Sequence, residues 1–249
     1  MPTRSFKRWL FLLLAISIFL VLVAFDGWWE ASLRLFFPEE TTVLHPRASM
    51  LVLVWEHIQL VAVSSAITLL VGIPLGIWVT RPSGRDFLLI VSDITSFGQT
   101  FPPVAVLALA VPIMGFGFMP TVLALFLYGL LPVVRNTIAG LNSVPGHITD
   151  AAYGMGMGRI RTLFRIELPL AMPVILAGVR ISVIINIGTA MIGAVIGAGG
   201  LGSPIVAGLV RDNLAFIIQG ALPAALLAVL ADQFLATLEL GLAYLTQKA

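Results

Sequence analysis

Residues 150–169 read DAAYGMGMGRIRTLFRIELP, a polar island with three arginines between two long apolar stretches. In an otherwise apolar chain, such an island is a loop between membrane-spanning helices, because charges inside hydrocarbon are costly. Lysine and arginine accumulate in loops on the cytoplasmic side of a membrane. The island therefore predicts a cytoplasmic loop, and the spans on either side of it set the fold.

The composition places the whole chain in the membrane class. Of its 249 residues, 59% are hydrophobic and 10% are charged, and the mean hydropathy is +1.05, whereas soluble domains carry about 25% charged residues. We therefore expect one all-α, polytopic membrane domain. The chain contains no cysteine, which excludes disulfides and thiol catalysis. Most of its arginines lie in loops, and they do not form one stripe, so nothing indicates nucleic-acid binding.

Six apolar segments are long enough to cross the membrane, which takes about 20 residues. The predicted spans are residues 9–25, 50–79, 87–113, 119–139, 171–196 and 214–241. The first is short and follows basic residues, so it also resembles a signal peptide. No small-residue cleavage site comes after it, which favours a retained helix over a cleaved signal.

The distribution of basic residues predicts the orientation. With the N-terminus inside, the cytoplasmic segments hold ten lysines and arginines and the outer segments hold three. This asymmetry satisfies the positive-inside rule. We expect a multi-pass protein of the bacterial cytoplasmic (inner) membrane with both termini in the cytoplasm.

Prolines and glycines inside the spans predict a kinked, closely packed bundle. Pro102 and Pro103 interrupt the third predicted span, and proline removes a helical hydrogen bond. The freed carbonyls must be satisfied by neighbouring helices or by water. Gly72 and Gly76 are four residues apart, a spacing that lets helix backbones approach closely. Such a bundle suits a protein whose helices move relative to one another.

Charged residues within or near the spans are Glu56, Asp93, Arg180, Asp232 and Glu239. Asp93 and Arg180 have opposite charge near the same end of their spans, so we expect them to pair. A proton or ion relay is the alternative, but only Asp232 lies deep by sequence position. Structural or gating roles are therefore favoured over proton coupling. For Glu56 and His57 we expect a polar pair whose side chains either snorkel towards the headgroup layer or make contacts between helices.

The segment Gly197-Ala-Gly199-Gly200-Leu-Gly202 has the glycine spacing of a dinucleotide-binding fingerprint. That fingerprint requires a preceding strand and a βαβ unit. Here it follows an apolar helix, so we interpret it as a turn that closes the fifth span at the outer face.

The polar island has the features of a docking surface. Its run of glycines and methionines, residues 154–158, offers hinges and a thioether surface that adapts to an apolar groove. The side chains predicted to insert into such a groove are Ala151, Ala152, Met155 and Met157. The basic side chains Arg159, Arg161 and Arg165 would form a charged rim, or alternatively bind anionic lipid headgroups.

A nucleotide-binding loop of the Walker type is excluded from this chain. Such a loop needs Gly-Lys-Ser/Thr, and Lys7 and Lys248, the only lysines, do not follow glycine. Any ATP-driven role therefore demands a separate ATPase subunit. We expect no catalytic, cofactor or metal site on this chain itself.

The island resembles the EAA loop of ABC-importer permeases. The resemblance lies in Asp150-Ala-Ala152, in Gly156 four residues after Ala152, and in Ile166, Leu168 and Pro169. The family's leading glutamate is aspartate here, which shortens the side chain by one methylene. The resemblance implies a coupling element formed by Asp150, Ala151, Ala152, Met155, Gly156, Met157, Gly158, Arg159, Leu168 and Pro169.

Most of the chain from about 50 to 240 is similar to permeases of glycine betaine/carnitine/choline/proline osmoprotectant importers. Shared stretches include GIPLG at 72–76, GQTFPPVAVL at 98–107, YGLLPVVRNT at 128–137 and GGLG at 199–202. The resemblance implies a type I ABC permease (MetI-like) architecture. In it, residues 1–49 form an N-terminal anchor helix and periplasmic loop, and residues 50–249 form the transmembrane core with the loop at 140–170.

The same resemblance implies partners and a substrate class. The implied protein partners are two ATPase subunits, a second identical or related permease subunit, and a periplasmic or lipid-anchored substrate-binding protein. The chain itself would be embedded in membrane lipid. Candidate gating and packing residues are Asp93, Pro102, Pro103, Arg180, Gly199, Gly200, Gly202 and Asp232. The implied substrate is a small osmolyte. Alternatives are another small solute such as an amino acid, an ion-coupled secondary transporter, and an intramembrane enzyme.

Overall fold

The computed structural model describes the backbone of residues 2–246 and the side chains of residues 7–242, and all regular elements in this part are helical. The helices are α1 (Pro2–Ala24), α2 (Asp26–Phe36), α3 (Met50–Val79), α4 (Leu88–Thr100), α5 (Pro103–Met114), α6 (Phe118–Asn142), α7 (Gly146–Gly154), α8 (Arg159–Thr162), α9 (Leu168–Thr189), α10 (Gly202–Arg211) and α11 (Leu214–Thr246). A 3₁₀ turn (Arg85–Phe87) precedes α4, and another (Ala190–Ile196) extends α9. A π-helical turn (Leu163–Glu167) joins α8 to α9.

Five helical segments of the described chain are long and apolar enough to cross a membrane. They are Lys7–Ala24, Met50–Val79, Phe118–Asn142, Arg159–Ile196 and Leu214–Leu242. A sixth span results if α4 and α5 are counted together. The sequence thus predicts the number of spans and most of their bounds. The fifth span starts earlier than predicted, because α8 and the π-helical turn continue into α9.

The third predicted span, 87–113, is broken at the predicted position, and far more sharply than a simple proline kink. Its two halves meet at an angle of 94° across a break at Phe101 and Pro102. Phe101 is extended, with ψ 125°, as expected for a residue before proline, whose ring disfavours the helical conformation there. The carbonyl of Phe101 accepts a hydrogen bond of 2.6 Å from the Tyr128 hydroxyl on α6. One neighbouring side chain thus satisfies a carbonyl at the break, as a membrane interior requires.

Helix α6 lies at the centre of the bundle and packs against α3, α4, α5 and α9. Gly72 and Gly76 on α3 contact Val133 and Thr137 on α6, where any larger side chain would clash. The predicted close approach at this glycine pair is therefore confirmed.

Gly178 provides the corresponding close contact between α9 and α6. A Cβ atom added at Gly178 would lie 2.6 Å from the carbonyl oxygen of Pro132 and would also clash with Asn136. Gly178→Ala should therefore force α9 away from α6 and lower stability by about 1–3 kcal/mol, the usual cost of overpacking. Thermal melting in nanodiscs measures this loss. Gly188→Ala is the matched control, because Gly188 lies on the same helix with no atom within 4 Å of its added Cβ.

The N-terminal segment packs onto the same bundle. Trp9 of α1 meets Phe234 of α11 edge to face at 6.2 Å. Trp29 and Leu33 of α2 are buried in one hydrophobic cluster with residues of α3 and α11. The boundary at residue 49 stays a prediction, and the two parts on either side of it share this core.

Candidate functional site

The polar island folds as two short helices joined by a tight turn. Helix α7 ends at Gly154, the chain reverses through Met155–Gly158, and α8 begins at Arg159. The π-helical turn Leu163–Glu167 then leads without a break into α9. This segment connects the central helix α6 to the next span.

Gly156 makes the turn possible. Its φ of +82° lies in the left-handed region that side chains disfavour. The N–H of Gly156 donates to the Tyr153 carbonyl at 2.9 Å, and the N–H of Met157 donates to the Ala152 carbonyl at 3.0 Å. These two bonds form a Schellman motif, in which a left-handed glycine ends a helix.

The predicted docking residues divide into an exposed set and a buried one. The exposed residues of the loop are Asp150, Ala151, Met155, Gly156, Gly158 and Arg159, while Met157 is partly buried. The prediction that Ala152 inserts into a partner's groove is wrong, because its side chain is fully buried within the chain itself. Leu168 and Pro169 belong to the first turn of α9 and not to the loop.

An exposed apolar surface accompanies these residues. Met155 is 74% exposed, Ile160 76% and Phe164 64%. An open groove of about 710 Å³ runs between this surface and the turn after α3. Its walls come from residues Arg81, Pro82, Ser83, Tyr153, Met157, Gly158, Arg159, Ile160 and Leu163. The sequence gives no signal that the turn at 81–83 belongs to this groove, because the segments are some 70 positions apart.

One ion pair ties the island to the bundle. A guanidinium nitrogen of Arg81 lies 2.5 Å from a carboxylate oxygen of Glu167, whose side chain is 9% exposed. The pair joins the turn after α3 to the start of α9. No pattern in the sequence indicates this pairing.

Arg180 forms a different pair from the one predicted. Its guanidinium donates to both carboxylate oxygens of Asp232 on α11, at 2.6 and 2.8 Å, and lies 3.7 Å from Glu239. The predicted pairing with Asp93 is therefore wrong. Asp93 is exposed on α4, and α9 faces α11 at the height of Arg180.

The glycine turn at 199–200 lies at the opposite end of α3 from the groove. Gly199 and Gly200 have φ of +81° and +74°, and the N–H of Gly200 donates to the Glu56 carboxylate at 2.8 Å. The neighbouring His57 is buried, with Nε2 3.0 Å from the Ile187 carbonyl oxygen. His57 thus makes an interhelical polar contact and Glu56 binds the glycine turn, so each residue has its own partner and the two do not form one pair. Gly202 follows as the first residue of α10.

Glu56 is expected to hold the glycine turn in place. Glu56→Ala removes the acceptor for the Gly200 N–H and should raise hydrogen exchange across residues 197–202, since a bond to a charged group contributes about 1.5–3 kcal/mol. Hydrogen exchange read by mass spectrometry measures this effect. Glu56→Gln retains an acceptor oxygen and should keep most of the protection. Equal exchange in all three proteins would contradict the assignment.

The remaining candidates lie apart from one another. Pro102 and Pro103 form the break between α4 and α5, the Arg180–Asp232 pair joins α9 to α11, and the glycine turn closes the far end. Within the described residues, no three histidine, aspartate or glutamate side chains converge as metal ligands would. The arrangement offers a surface loop linked to a helical bundle in which one described span is broken between α4 and α5.

Comparison with known families gives a match over most of the chain. Residues 72–243 match the family described as "Binding-protein-dependent transport system inner membrane component". The solved structures that are similar include a chain of the MetNI methionine ABC transporter in an inward-facing form, with a TM-score of 0.68 at 22% identity, covering 77% of this chain and 95% of that one. This likeness shows the fold, which is MetI-like.

Several relatives have been named by their substrates. The chain is 45% identical over 190 residues to "Osmoprotectant import permease protein OsmY" of Salmonella typhimurium, covering 76% of this chain and 80% of that protein. It is 43% identical over 183 residues to "Glycine betaine/carnitine/choline transport system permease protein OpuCD" of Bacillus subtilis, covering 72% and 78%. It is also 41% identical over 186 residues to "Carnitine transport permease protein OpuCD" of Listeria monocytogenes, covering 74% and 82%.

Proposed function

Since this chain belongs to the family of inner-membrane components of binding-protein-dependent transport systems, we propose that it is the permease through which a small osmolyte with a quaternary ammonium group is imported. Members of this family are non-catalytic membrane subunits of ABC transporters. The substrate class rests on the relatives, which are named for osmoprotectants, glycine betaine, carnitine and choline. The identity to them, 41–45% over about three quarters of the chain, is the observation that carries the proposal.

The energy for transport comes from a partner, because the chain has no nucleotide-binding loop of the Walker type. The permease then has two conformations, and the other subunits shift the equilibrium between them. Moving such an equilibrium from 1:99 to 99:1 requires about 5.5 kcal/mol of differential binding. Closure of an ATPase dimer on ATP supplies this energy through the loop that it contacts.

The polar island is the proposed contact for the ATPase. Met155, Ile160 and Phe164 present apolar side chains next to the groove, and Arg159, Arg161 and Arg165 surround them with positive charge. Methionine adapts its shape to an apolar partner surface. The Arg81–Glu167 pair would carry the motion of this loop to the ends of α3 and α9.

The proposed assembly has two permease subunits, two ATPase subunits and a substrate-binding protein on the outer side. Both termini and the island lie in the cytoplasm, as the ten-to-three distribution of basic residues favours. The glycine turn at 199–200 and helix α10 then lie at the outer face, where the binding protein delivers substrate.

Uptake into proteoliposomes tests the substrate class. The complex purified from native membrane is reconstituted with ATP inside and binding protein outside, and radiolabelled glycine betaine, carnitine, choline, proline and methionine are offered separately. We expect ATP-dependent accumulation of the quaternary ammonium compounds. Accumulation of methionine alone would retain the importer and reject an osmolyte as its substrate, and accumulation of proline alone would retain the osmolyte and reject the quaternary ammonium class. The methionine alternative is supported only by the shared fold with a methionine transporter.

A further inference from the structure

Helix α4 has two faces of different character. Val91 and Thr95 are buried, and Gly98 lies against the Leu127 backbone, whose carbonyl oxygen would be 3.3 Å from an added Cβ. These residues pack on α6. Asp93 and Phe97 are one helical turn apart on the opposite side, where both side chains are exposed.

Asp93 lies inside the membrane-spanning part of the chain. Trp78 and Phe87 stack at 5.3 Å at the start of this span, where aromatic rings mark the headgroup layer. Asp93 follows Phe87 by six residues, which is about 9 Å along a helix. It takes part in no ion pair or side-chain hydrogen bond within the described residues.

An exposed carboxylate at this depth requires an aqueous or polar surrounding. Ionisable residues within membrane spans face the interior of the protein or a water-filled cavity and mark the routes of substrates and ions. Although exposed Ile90 and Ile94 flank Asp93 on this face of α4, the carboxylate meets its requirement for a polar surrounding if the face lines the transport path.

Two aromatic rings lie between Asp93 and the break in the span, of which Phe97 is exposed and Phe101 is half-buried. Phe97 is 66% exposed, and its ring centroid lies 5.7 Å from that of Phe101, the residue at the break. Aromatic faces attract quaternary ammonium groups through their quadrupole. A carboxylate one turn away adds an opposite charge. Together the three side chains offer the chemistry that a trimethylammonium group binds.

We propose that Asp93, Phe97 and Phe101 form a transient site for the trimethylammonium group of the substrate on its way across the membrane. The inference rests on the proposed function, since it takes glycine betaine, carnitine and choline as the substrate class. The three side chains would contact the substrate from one side only. Such a site binds weakly, which suits a substrate that must also be released.

Fluorination of Phe97 separates cation–π attraction from packing. Replacing Phe97 with its mono-, di- and trifluoro derivatives weakens the negative ring face in steps and changes ring size little. At saturating binding protein, the rate of ATP-driven choline uptake should fall at each step, by about tenfold over the series. The same derivatives at Phe87, which is stacked on Trp78, are the control and should leave the rate unchanged.

Substitution of Asp93 tests the charge. Asp93→Asn should lower choline uptake about tenfold and glycine betaine uptake less, because choline is a net cation and glycine betaine carries its own carboxylate. Asp93→Glu should keep most of the rate, and Asp86→Asn at the start of the span is the matched control.

The outcomes distinguish the site from the wider function. If the wild-type complex imports choline and the fluorinated series is flat, the site is rejected and the function stands. Loss of choline and glycine betaine uptake to the same extent, with dissociation of the complex, would place α4 at a subunit contact and also reject the site. If the wild-type complex imports no quaternary ammonium compound, the proposed substrate class and the site both fail.

Discussion

Replacing Gly156 with proline is expected to reduce substrate uptake to background, a loss of roughly 100-fold or more. The reason is that the energy from the ATPase, which biases the two conformations of the permease, no longer reaches the helical bundle. The native φ of +82° is inaccessible to proline, whose ring fixes φ near −65°. Proline also lacks the N–H that donates to the Tyr153 carbonyl. The turn between α7 and α8 therefore cannot form.

The same variant should insert into the membrane normally, because Gly156 is exposed in a turn outside the candidate membrane spans. Gly154→Ala is the matched control. Gly154 lies in the same loop, has no left-handed backbone and has free space around its Cβ, so its uptake should stay near that of wild type. Uptake and membrane abundance are measured together in cells that express the whole transporter. Normal uptake by Gly156→Pro would remove this loop from the mechanism.

Arg180→Leu is expected to cause the largest loss of stability. It leaves the carboxylates of Asp232 and Glu239 without their cation inside the bundle. Removing one member of a fully buried ion pair costs about 3–5 kcal/mol, and because the side chains of this pair are 27–33% exposed, the cost should be lower, about 2–3 kcal/mol. The variant should show a low abundance in the membrane and a reduced melting temperature in nanodiscs.

Removal of all the charges should restore stability. The combined variant Arg180→Leu, Asp232→Leu and Glu239→Gln has no uncompensated charge, and apolar replacements of buried ion pairs are often neutral or stabilising. If the combined variant is as unstable as Arg180→Leu, the loss arises from packing of the arginine stem and the electrostatic account is wrong.

The spans and the loop were predictable because their signals are local. Long apolar segments indicate membrane helices, and the polar island indicates a loop whatever its neighbours are. Pro102 and Pro103 predict a kink for the same reason, although the angle of 94° depends on the helices that surround it.

The contacts between distant helices could not be predicted in this way. Arg180 and Asp232 are 52 positions apart, and the pairing depends on how α9 and α11 are rotated about their axes. Opposite charge and similar depth suggested Asp93, but Asp93 lies on the face of α4 turned away from α6. The burial of Ala152 has the same origin, since only the folded turn shows which side of α7 faces the chain.

ATP hydrolysis by the purified complex tests the central claim most directly. The tagged chain is isolated from native membrane, reconstituted in nanodiscs and assayed with binding protein, with and without glycine betaine. The account predicts a co-purifying ATPase whose turnover rises with liganded binding protein in the wild type and does not respond in the Gly156→Pro variant. Purification of the folded chain without any ATPase, or turnover in Gly156→Pro that responds as in the wild type, would contradict it.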